Sequence, residues 1–178
     1  MIFGLFRKNK RPSAVEATLT RIVAAGREPV LYLEMSVPDT LEGRFEAVSA
    51  HMILLMRRLR ELPPPAEDFA QELVDAYFKW LDYTLRDTGV GDVAVPKRMK
   101  TLVSNFYGRV RAYGDALDSQ DMEAFAEALA RNVTGEGDDA KALAAYLAAA
   151  ELRLRDQDFD ALVADGPAFA APGRGETS

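Results

Sequence analysis

The chain has 178 residues, a net charge of −6, no cysteine and one histidine, His51. That length can bury a real core as one domain, and 48% hydrophobic with 28% charged residues describes an ordinary globular chain, not a disordered one. The absence of cysteine excludes disulfides, thiolate metal sites, iron–sulfur clusters and cysteine nucleophiles, and a lone histidine excludes His-rich zinc and paired-histidine di-iron sites.

The N-terminus reads Met1-Ile2-Phe3-Gly4-Leu5-Phe6 and then Arg7-Lys8-Asn9-Lys10-Arg11. A secretory signal places its charge before a longer apolar run, so the order here is reversed. No stretch approaches the ~18 uninterrupted apolar residues of a membrane span. The expectation is a cytoplasmic protein, with residues 2–11 either solvated or in peripheral contact with an anionic inner-membrane surface.

Gly26 to Pro29, Pro38, Pro63-Pro64-Pro65, Gly89 to Gly91, Asp118-Ser119 and Gly135 to Gly137 cut the chain into helix-length blocks. Val30 to Met35 reads as extended, too short to found a sheet. The fold class expected is all-α: a single compact bundle of about six or seven helices over residues 13–165. Flexible segments flank it at 1–12 and 166–178, the second rich in Gly, Pro and Ala.

The block from Asp39 to Leu62 opens with Asp39-Thr40-Leu41-Glu42, a capping-box-like start. Leu41, Phe45, Val48, Met52, Leu55 and Leu59 then form one apolar stripe, while Ala47, Ala50, Ile53 and Leu54 fall on the other side. Apolar on two sides, this helix either sits in the centre of the bundle, the reading preferred, or offers one side to a partner. The block Ala66 to Asp87 is apolar over more than half its wheel and is expected to be mostly buried. In the block Pro96 to Leu117, Pro96 suits a first helical turn, and Met99, Leu102, Val103, Phe106, Val110, Tyr113 and Leu117 make a buried stripe.

Charge is unevenly distributed. From Val93 to Gly114 there is no acidic residue and five basic ones, whereas Asp118 to Asp160 carries eleven acidic against four basic. On the wheel Lys97, Lys100 and Arg111 share a flank with Tyr107, and Arg98 and Arg109 lie on the other.

No reactive constellation accompanies these helices. Gly89-Val90-Gly91 follows a helix and not a strand, no Gly-x-Ser-x-Gly elbow exists, and Glu46 and His51 lack the Glu-x-x-His spacing of a di-iron site. Asp138-Asp139 sits in a turn without ligand spacing. His51 reads as an ordinary hydrogen-bonded or half-exposed histidine and not a catalytic one. The chain is expected to be no enzyme and to hold no cofactor. Its basic helix is open to three readings: a solvated face, a phosphate-binding surface on which Tyr107 stacks a base, or a docking surface for an acidic partner or the cytoplasmic face of a membrane protein. A pI near 4.9 argues against a dedicated nucleic-acid binder, DNA included.

Several runs in order resemble one family: Val37-Pro38-Asp39-Thr40-Leu41-Glu42-Gly43-Arg44-Phe45-Glu46, His51 through Arg57-Arg58-Leu59, and Asp87-Thr88-Gly89-Val90-Gly91-Asp92. Val95-Pro96-Lys97-Arg98-Met99-Lys100, Phe106-Tyr107-Gly108-Arg109 and Ala128-Leu129-Ala130-Arg131-Asn132 continue the series. Together, over roughly residues 30 to 135, they resemble the ubiquinol–cytochrome c chaperone family, in its bacterial form related to the mitochondrial cytochrome b assembly factors. Pro96, where many members carry glycine, departs from the pattern.

The resemblance implies a non-enzymatic assembly factor whose client is newly made cytochrome b, or another subunit of the cytochrome bc complex, at the inner membrane. Mitochondrial relatives also work with a small partner chaperone and the translating ribosome. The family supplies no catalytic residues. The docking surface expected here comprises Lys97, Arg98, Lys100, Tyr107 and Arg109, with Arg44, Arg57 and Arg58 from the preceding long helix. Two other readings stand beside it: an RNA- or ribosome-binding module using helix 96–117, and a helical pocket for a lipid, quinone or haem.

Overall fold

The computed structural model describes residues 13–135 and 140–169. The basic N-terminal segment and the Asp138-Asp139 turn singled out above lie outside them. Eight α-helical segments follow in order: α1 Ala14–Ala25, α2 Pro29–Leu33, α3 Leu41–Glu61, α4 Ala66–Asp87, α5 Val95–Asp118, α6 Met122–Leu129, α7 Lys141–Arg155 and α8 Phe159–Ala164. A π-helical turn, Ala130–Thr134, extends α6. Six of the helices have eight residues or more, and no strand occurs among the described residues. The all-α expectation holds.

Thirteen of the 21 residues of α3 are buried, including both predicted apolar sides apart from the half-covered Leu41. It is the central helix, and α1, α4, α5 and α7 pack around it. Its start differs by one residue from the expected cap. The Thr40 hydroxyl accepts the Gly43 N–H at 3.0 Å, while Asp39 accepts instead from Arg44 at 2.7 Å. Thr40 at the cap puts Gly43, not Glu42, three residues on, so no capping box forms. Gly43 is required there, because a β-carbon would collide with the Pro38 carbonyl oxygen.

Val30 to Met35 is not extended. Pro29 supplies a ready-made φ for a first helical turn, Leu31 is sealed in the core, and the Tyr32 hydroxyl donates to the Gly26 carbonyl at 2.5 Å. An isolated extended run would leave its backbone groups unpaired, and one helical turn satisfies them locally.

The α4 helix is less buried than its composition suggests. Seven of its 22 residues are buried, along one face, while Phe69, Phe78 and Trp80 are half-covered and Tyr83 is exposed. Its aromatics pack as a ladder with α5, Tyr77 and Phe78 against Phe106 at ring-centre distances of 5.4 and 5.5 Å. The expected stripe of α5 is likewise divided. Phe106, Tyr113 and Leu117 are buried, but Met99, Leu102 and Val103 are only half-covered. The first turns of α5 lie against the beginning of α3 and the end of α4, where too few side chains meet to close the core.

Packing also runs past residue 165. The Gln157 side chain donates to the Gly166 carbonyl at 2.9 Å and accepts the Ala168 N–H at 2.7 Å. This strap brings the Phe169 ring edge-on to His51, 4.9 Å between centres.

Candidate functional site

The start of α5 gathers positive charge that no side chain among the described residues pairs with. Ala94 offers no capping side chain, and the first turn contains no acid. Lys97, Arg98 and Lys100 follow within two turns, all exposed, and none of their side chains has an ion pair or hydrogen bond among the described residues. Three cations at the positive end of a helix dipole oppose the usual preference, at a cost of some tenths of a kcal/mol each. Lys97, Lys100, Ser104, Tyr107 and Arg111 form one exposed stripe at three- and four-residue spacing. Tyr107 is 56% exposed, its ring resting near Phe78 and Phe106.

Beside this stripe opens a groove of about 460 Å³ between the start of α3, the end of α4 and the start of α5. Leu41, Phe45, Leu81, Leu85 and Leu102 make it apolar, Thr84, Thr101 and Asn105 add polar rungs, and Lys97, Arg98 and Glu42 complete the lining.

The other predicted docking residues sit elsewhere, and the eight do not form one surface. Arg109 donates to both oxygens of Glu46 at 2.9 and 2.8 Å, with side chains 15% and 9% exposed. Arg57 donates to Glu151 at 3.0 Å and to Asp118 at 2.7 Å, its own side chain 10% exposed. Arg58 reaches the Gln157 carbonyl twice, at 3.0 and 2.9 Å, and Glu61 at 3.2 Å. These guanidinium groups hold α3, α5, α7 and the α7–α8 turn together, using two acids from the acid-rich half of the chain. From Lys97 to the Arg57 contact at Asp118 is about 30 Å along α5. Arg44 is exposed at the other end of α3 and pairs with Asp39.

The internal pairs have clear electrostatics. Burial pushes the Glu46 carboxyl up from its ordinary range, opposed by the hydrogen bond and charge of Arg109. Arg57 holds the exposed Asp118 carboxyl down. His51 is fully buried. Its Nδ1 donates to the Ala47 carbonyl at 2.7 Å, which leaves Nε2 to accept from the Tyr146 hydroxyl at 2.8 Å. Burial lowers its pKa to about 4, so the ring is neutral and serves packing. No group of three or more potential metal-ligating residues occurs among the described residues. No described helix is long and apolar enough to cross a membrane.

Sequence reasoning located the free cations but missed the groove beside them. The available signal was that the apolar stripes holding Leu41 and Phe45, Leu81 and Leu85, and Leu102 all run to helix ends, where the side chains line a groove without filling it.

The sequence pattern described as ubiquinol-cytochrome C chaperone matches residues 33–169. A crystal structure of the Cbp3 homolog from Brucella abortus is similar at 40% identity with a TM-score of 0.80, the match covering 89% of each chain. No curated protein matches.

Proposed function

The chain belongs to the ubiquinol–cytochrome c chaperone family, and from that premise we propose that it holds newly made cytochrome b at the cytoplasmic face of the inner membrane through the α5 end of the bundle. One observation carries the reading: of the eight predicted docking residues, Lys97, Arg98 and Lys100 have no partner among the described residues, and Lys97 and Arg98 line the apolar groove. Charge there steers and orients an incoming chain, and the groove supplies area that excludes water. Arg57, Arg58 and Arg109 fall outside this site because they bind the bundle together. Tyr107 extends it along the exposed stripe.

The test is retention of pulse-labelled cytochrome b by the tagged protein. The triple variant K97E/R98E/K100E should fold and lose the labelled chain. Retention equal to that of the unaltered protein contradicts the proposal.

The exposed Tyr107 among cations also supports a second reading, contact with RNA or the ribosome. Phosphate contacts give binding that weakens steeply with salt whatever the RNA sequence. Absence of RNA binding at low salt removes this reading. The haem version of a pocket finds little support in the lining, which holds no histidine, methionine or tyrosine, and the one histidine is sealed in the core.

A further inference from the structure

We infer that the α3–α4–α5 groove takes a short amphipathic helix with acidic residues along one edge. The inference rests on the docking reading above and adds the chemical class of the segment recognised.

Length comes first. The α5 wall runs from Ala94 to Asn105, about 17 Å at 1.5 Å per residue, or three helical turns. A membrane span needs about 20 residues and 30 Å, nearly twice what the groove can cover. The occupant is therefore a short segment and not a spanning one.

Backbone chemistry then selects a helix. The described groove walls are helical and offer no sheet edge. An extended strand lying there would find no row of donors and acceptors, whereas a helix satisfies its own backbone and presents only side chains. The floor formed by Phe45, Leu81, Leu85 and Leu102 suits residues at i, i+3, i+4 and i+7 of such a helix.

Charge selects the edge. Lys97 and Arg98 line one side without internal partners, against the single acid Glu42. A carboxylate on the occupant completes them. The chain's own apolar start, Ile2 to Phe6, runs directly into Arg7, Lys8, Lys10 and Arg11, so the same cations repel it. The Thr84 and Thr101 hydroxyls already donate to the Trp80 and Lys97 carbonyls. An acyl chain would fill the floor but leave the Asn105 amide without a partner among the described residues, while a polar helix flank hydrogen-bonds it.

The test uses the full chain and a fluorescein-labelled 12-residue helix-forming peptide with leucines on one face and glutamates beside them. A twin carries lysine for each glutamate. At low salt the acidic peptide should bind at least tenfold more tightly than its twin. K97E/R98E should reverse that order, and L102E should weaken both at least tenfold, with thermal melting confirming the fold. T101E, at an exposed position in the lining, provides the same block without touching the half-buried leucine. The inference is overturned if neither peptide binds, or if binding ignores these substitutions. It is also overturned if phosphatidylglycerol vesicles or a second copy of the chain, seen by sedimentation, occupies the groove in the peptide's place. Loss of cytochrome b retention in K97E/R98E/K100E without peptide binding would leave the docking reading standing and remove this inference. Peptide binding with normal retention in that variant would do the reverse.

Discussion

Arg109 grips both carboxylate oxygens of Glu46, at 2.9 and 2.8 Å, and so joins the middle of α5 to the second turn of α3. A bidentate pair this enclosed fixes the relative position of the two helices whose starts form the groove. Breaking it from one side strands a charge. R109M should cost about 3 kcal/mol in urea unfolding, the range seen when one member of a buried pair is removed. E46L/R109M should recover most of that, because no unpaired carboxylate remains. A single-variant cost within 0.5 kcal/mol of zero would show the pair to be incidental.

The cations at the start of α5 should behave in the opposite way. Lys97, Arg98 and Lys100 have no partners among the described residues and sit at the positive end of the α5 dipole. Reversal to glutamate should leave stability unchanged or raise it by some tenths of a kcal/mol per site. Measured by thermal unfolding, a marked fall in the triple variant would mean these side chains stabilise the fold and are not held in reserve for a partner.

His51 gives the domain a pH dependence of known sign. Its folded pKa of about 4 lies below the ordinary 6.5, so the unfolded chain binds the proton more readily. The stability contributed is fully present above pH 6.5 and is lost as pH falls toward 4. A separation of this size corresponds to about 3 kcal/mol. H51Q should lose that component, and its stability should fall less steeply between pH 6.5 and 4. Parallel curves for the two proteins would contradict the neutral, buried assignment.

The strap ending at Phe169 should stabilise the His51 region through Gln157. Q157A removes both the donor to Gly166 and the acceptor for Ala168, and about 1–2 kcal/mol should be lost. Hydrogen exchange in α3 near Ala47 should quicken at the same time. Unchanged exchange would show that the strap rests on the surface without holding it.

Much of this fold was legible because strong local signals agreed with tertiary packing. Apolar residues on both sides of residues 41–59 identified a central helix, and the spacing of Phe106, Tyr113 and Leu117 marked the covered part of α5. Val30 to Met35 misled because composition cannot weigh one helical turn begun by Pro29 against a strand with no partner. The division among the arginines was less accessible still. Arg57, Arg58 and Arg109 look no different in sequence from Arg98, and only the approach of Glu151, Asp118, Gln157 and Glu46 from other elements distinguishes them. Glu46, an acid amid the apolar residues of α3, was the one clue that a cation from elsewhere must come to meet it.

On the proposed reading, the free cations of α5 receive the client. The most direct measurement is the amount of assembled ubiquinol–cytochrome c reductase in cells whose only copy of the chain is K97E/R98E/K100E, with the variant's level and fold verified. A several-fold fall in mature reductase is expected, while R111E, on the same stripe but away from the groove, should leave it near normal. Normal reductase in the triple variant would contradict it.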